Sequence, residues 1–124
     1  RMKAGESHIV PLSAPALDIL SAAHKLFESS EHVFPAMRAD KPLSNMTLLQ
    51  ALRRFKEPYT THGFRSSFRD WAEEKTNYQH AVKEAALAHT VRNKVEAAYR
   101  RTTLLEKRRL LMDDWGRFLR GGSS

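Results

Sequence analysis

Phe64, Phe68, Trp71 and Ala72 fall at i, i+4, i+7 and i+8 within the stretch 61–75. At 3.6 residues per turn this spacing gathers all four on one side of an α-helix, whereas a strand would send them to both faces. His62 and Arg69 then project from the far side. Arg65 falls on the border, where its guanidinium is expected to be partly desolvated and to need an anionic partner. The pattern recurs at Leu17, Leu20, His24 and Phe27, and again at Leu104, Leu111, Trp115 and Phe118. Each stripe is expected to face a core.

Helix boundaries follow from capping residues. Ser13 predicts a helix over 14–28, Ser44 or Asn45 a second ending near Phe55 with Arg53 and Arg54 outward, and Thr60 or Thr61 a third through Lys75. Further helices are predicted over 79–88, 94–99 and 104–119. Met2-Lys3 and His8-Ile9-Val10 flank the turn-like Ala4-Gly5-Glu6-Ser7, which predicts a β-hairpin, and Val33-Phe34-Pro35 reads as extended. The expected fold class is α+β, mainly α. A chain of 124 residues with 41% hydrophobic content suits one folding unit, expected over 1–120 with a frayed tail at 121–124. The opening Arg1-Met2-Lys3 reads as mid-domain, so the expectation is a fragment or an engineered version of a longer chain.

A formal charge of +7 and a pI near 10.1 favour a polyanionic partner, because cations that neutralise phosphates release condensed counterions. Anionic membrane surfaces share that attraction. However, no apolar run approaches the roughly 20 residues of a spanning helix and no export signal opens the chain, so a cytoplasmic protein without membrane contact is expected. With no cysteine there is neither a thiolate metal site nor a cysteine nucleophile. His8, His24, His32 and His80 lack metal-ligand spacing and there is no HExxH, so no metal and no cofactor are expected.

What remains is chemistry that tyrosine, histidine, arginine and lysine can perform. Tyr99 lies in Ala97-Ala98-Tyr99-Arg100-Arg101, inside 92–109, where seven Lys/Arg stand against Glu96 and Glu106. His62-Gly63-Phe64-Arg65 and Leu87-Ala88-His89 precede it, with 27 residues from His62 to His89 and 10 from His89 to Tyr99. Cutting a phosphodiester covalently needs a nucleophile in line with the leaving oxygen, cations at the non-bridging oxygens and an acid for the alkoxide. A phosphotyrosyl bond conserves the energy for rejoining, and arginine offers a fork of donors that stays charged. Each residue also has a plain structural reading: Tyr99 as a half-buried aromatic, His62 as a first-turn residue, His89 as a helix-end cap, Arg65 as half of an ion pair. Lys107-Arg108-Arg109 reads either as a solvated face or as a DNA contact.

Together these motifs resemble the catalytic domain of the tyrosine recombinase (phage integrase) family, with wording like that of the P4-like prophage integrases. The likeness extends to Phe64, Trp71, Leu87, Glu106, Met112 and Trp115, and so runs through essentially the whole chain. It implies a helical tyrosine-recombinase catalytic domain with a small N-terminal β-hairpin. It also implies His62, Arg65 and His89 on the phosphate, Tyr99 as nucleophile and Lys3 of the hairpin as general acid. The family's first catalytic arginine lies upstream of that lysine, so the constellation in this chain is incomplete and little activity is expected of it alone. Ala88 stands where many relatives have glycine. The implied function is site-specific DNA cleavage and rejoining through a 3′-phosphotyrosine, in prophage or genomic-island integration and excision. Implied partners are double-stranded DNA attachment sites and other protomers in a tetramer, with no small-molecule substrate, metal or ATP. The alternatives are a non-catalytic basic DNA-binding module from a decayed integrase, and a type IB topoisomerase.

Overall fold

The computed structural model describes residues 8–37, 41–89 and 104–122. Among them are five helices: α1 (Ala14–Leu26), α2 (Thr47–Arg54), α3 (Thr61–Lys75), α4 (His80–Ala86) and α5 (Leu105–Leu119). The fold is mainly helical, as expected. The expected hairpin is not shown: residues 8–10 form no strand, and Met2, Lys3 and the turn lie outside the described residues. The short helix expected over 94–99 also lies outside them. The one β-bridge among the described residues joins Pro35 to Pro42, with Ala36 N–H donating to the Lys41 carbonyl at 2.8 Å.

Contacts group the chain into two compact units, one formed by Pro15–Ser66 and the other by the described residues on either side of it. In the first unit, Ser44 organises the entry to α2. Its Oγ accepts from the Met46 N–H at 3.3 Å and its carbonyl accepts from the Thr47 N–H at 3.0 Å. Thr60 caps α3, its Oγ1 accepting from the Gly63 N–H at 3.0 Å and so satisfying one of the first-turn donors that a helix leaves unpaired. The α1 stripe departs from expectation. Leu17, His24 and Phe27 are exposed, and Ala23 is the buried residue of the helix. Periodicity determines which residues share a side; burial further requires an element packed against that side, and periodicity is silent on that.

The second unit holds the core. Phe68, Trp71 and Ala72 of α3 meet Val82 and Ala85 of α4, Leu87, and Leu104 and Leu111 at and within α5. Trp115 packs edge-on to Phe68 with centroids 5.5 Å apart and lies 4.9 Å from Trp71, so the aromatic stripes of α3 and α5 interlock in the tilted and edge-to-face geometries that ring quadrupoles favour. Phe64, expected on this face, is 52% exposed because it sits a turn before the first buried position. Arg65 is exposed as well, which corrects its expected desolvation: the apolar border is not buried at this end of α3.

Arg108 is a further correction. Instead of joining a solvated or DNA-facing basic run, it is 2% exposed, because it lies four residues after Leu104 and three before Leu111, within the apolar stripe of α5. Lys107 and Arg109, to either side of it, are exposed.

Candidate functional site

The site residues within the described chain form two local groups. The first is on α3, where His62 and Arg65 are three residues apart and Arg69 follows Arg65 by four, so that successive side chains stack along one side of the helix. All three are exposed. This is a cationic stripe alongside the buried Phe68–Trp71–Ala72 face, with Arg65 at the border between them.

The second group is built by the end of α4. The helix closes at Leu87, after which Ala88 takes a left-handed φ of 54°. Its N–H donates to the Ala85 carbonyl at 3.2 Å, and the His89 N–H donates to the Glu84 carbonyl at 3.1 Å. These paired bonds define a Schellman turn, which satisfies terminal carbonyls and folds the chain back across the helix end. The reversal brings the His89 imidazole onto Glu84, with Nδ1 hydrogen-bonded to Oε2. That bond holds the Glu84 carboxyl below its ordinary range against the opposing effect of burial, with further lowering from the charges of His89, His80 and Arg69. Residue 88 thus needs a left-handed backbone, which glycine adopts freely and alanine only at a cost.

The structure therefore brings His62 together with Arg65, and His89 together with Glu84. Tyr99 and Lys3 lie outside the described residues. Sequence reasoning missed Glu84, since residues five apart are not neighbours on a regular helix; the trace of it was a carboxylate just before a position able to reverse the chain. No helix among the described residues is long and apolar enough to cross a membrane.

Comparison with known proteins gives the class: the chain is related to the prophage and phage integrases. It is 35% identical over 127 residues to the prophage integrase IntA of Escherichia coli (strain K12), a match covering 100% of this chain and 30% of that protein. It is likewise 35% identical to the prophage integrase IntZ of the same strain, over 92% of this chain and 29% of the relative. The integrase of Enterobacteria phage P4 is 36% identical over 95% of this chain and 28% of its own length. The chain thus spans less than a third of the length of these curated relatives. No family model matches it, and no solved structure matches it significantly.

Proposed function

We propose that this chain is part of the catalytic domain of a site-specific tyrosine recombinase. In this reading Tyr99 attacks a backbone phosphate, forming a 3′-phosphotyrosine and freeing a 5′-hydroxyl, which later attacks the partner strand and restores the phosphodiester. Arg65, His62 and His89 donate to the non-bridging oxygens as charge builds on the phosphorane, and Lys3 supplies the leaving oxygen's proton. Double-stranded attachment-site DNA is the substrate, and four protomers on two duplexes form the working assembly. The excess of cations over 92–109, leaving out the buried Arg108, supplies salt-sensitive affinity for the duplex.

The observation that carries the reading is the reach of the likeness to integrases. It covers the whole chain, including the segments that hold His62, Arg65, His89 and Tyr99. The exposed stripe on α3 supports it, since an arginine and a histidine one turn apart can both reach one phosphate. The test is denaturing electrophoresis with a suicide duplex carrying the attachment sequence, using the longest natural protein that contains this chain. A detergent-resistant protein–DNA adduct that disappears in Tyr99→Phe is the expected result. Salt-sensitive binding with no adduct in either protein overturns the enzymatic reading in favour of a DNA-binding module.

A further inference from the structure

We propose that Glu84 is a positioning residue for His89: its carboxylate accepts a hydrogen bond from Nδ1–H of the imidazole, so that Nε2 is the ring nitrogen presented to a DNA phosphate oxygen. The inference rests on the reading of His89 as a phosphate ligand given above. It concerns a residue that the motif around His89 does not name.

Three observations carry it. On a continuous helix, residues five apart are separated by about 140° of rotation and do not meet. Here the left-handed Ala88 reverses the chain, and residue 89 is tied to residue 84 twice, once through the backbone at 3.1 Å and once through the side chains. The two side chains are also unequally covered, His89 keeping 37% of its exposure and Glu84 only 19%, so the carboxylate is the more desolvated partner and the imidazole the one open to a ligand. Finally, the groups whose charges act on Glu84 are His89, His80 and Arg69, all of which favour its anionic form.

The consequence is chemical. An imidazole has two nitrogens, and the hydrogen bond made by one decides what the other can do. With Nδ1–H committed to Glu84, a phosphate oxygen can be served only by Nε2–H, so the ring binding both anions carries a proton on each nitrogen. The arrangement holds the ring plane before DNA arrives and spares the complex part of the cost of ordering it.

Nitrogen-15 NMR of the full chain tests this, with His89→Gln used to assign the ring signals. Wild-type His89 is expected to carry its neutral-form proton on Nδ1. Glu84→Gln, whose amide oxygen can still accept, keeps that form, and Glu84→Ala moves the proton to Nε2. The backbone carbonyl of residue 84 and the high helix propensity of alanine preserve the turn, which unchanged circular dichroism verifies. Duplex affinity is the second readout. Deleting a negative charge near DNA should tighten binding if electrostatics alone act. Positioning predicts the opposite sign, with Glu84→Ala weakening binding roughly threefold to tenfold, about as His89→Gln does, and the double variant no weaker than either. An unmoved proton in Glu84→Ala, with binding still weakened by His89→Gln, overturns the positioning role alone. A moved proton with duplex affinity unchanged in both single variants overturns the phosphate role of His89 beneath it.

Discussion

The Arg108 guanidinium donates from Nη1 to the Ile9 carbonyl at 2.9 Å, joining residues 99 positions apart. Its Nε is buried without a partner, and burial holds its pKa below the ordinary guanidinium range. The N-terminal segment is thus fastened to α5 by a desolvated cation. Arg108→Ala is expected to destabilise the chain by about 2–3 kcal/mol through the lost charge-assisted bond and the space left behind. Arg108→Met keeps much of the volume, removes the desolvation cost and should lose less than half as much. Urea unfolding of the two variants measures the difference; equal losses would mean that packing contributes little.

Three helices end in the same turn, with residues 56, 88 and 121 at φ values of 57°, 54° and 79°, and only the last is glycine. Ala88→Gly should stabilise by about 0.5–1 kcal/mol, the relief of left-handed strain less the larger chain entropy of glycine. Lys56→Gly should act alike. Gly121→Ala should cost a similar amount through φ alone, since no atom would lie within 4 Å of the added carbon. Thermal melts of all three test a single backbone explanation, and a destabilised Ala88→Gly would refute it.

Stability should fall in mild acid. Glu73 is held below its ordinary value of 4.5 chiefly by the hydrogen bond from the buried Lys83, at 3.0 Å, and Glu84 chiefly by the bond from His89. Depressed carboxyl values give stability that is complete above 4.5 and is lost as the pH falls through the lower folded values. Urea midpoints followed downward through this range should decline less steeply in a Glu73→Gln, Glu84→Gln double variant, which has neither carboxyl left to titrate.

Tyr78 should titrate late. Its phenol is pushed up from 10.0 to about 12, first by burial and then by the 2.7 Å hydrogen bond it donates to Asp114. This contribution is complete below 10 and is lost as the pH rises toward about 12. Ultraviolet titration should show one phenolate appearing late, and Tyr78→Phe should remove that step.

Much of the fold was legible because local rules and burial agreed. Thr60 begins α3 as its hydroxyl predicts, and Phe68, Trp71, Leu104 and Leu111 are core residues as their spacing predicts. Arg108 was misread because a basic triplet looks solvated, although the period of α5 already put its middle member among the leucines. Leu17 and Phe27 were misread in the opposite sense, since an apolar stripe states a side without supplying a neighbour. Glu84 escaped notice because its relation to His89 arises only after the chain reverses at Ala88.

Side-chain order along the chain was sufficient for the helical class, the cationic side of α3 and the likeness to integrases. All three depend on periodicity, charge and motif, which are properties of neighbours in sequence. Three-dimensional packing alone decided that Arg108 meets the Ile9 carbonyl and that Glu84 holds His89. Those contacts depend on where a helix stops and on which distant carbonyl it then meets, and short-range spacing carries no record of either.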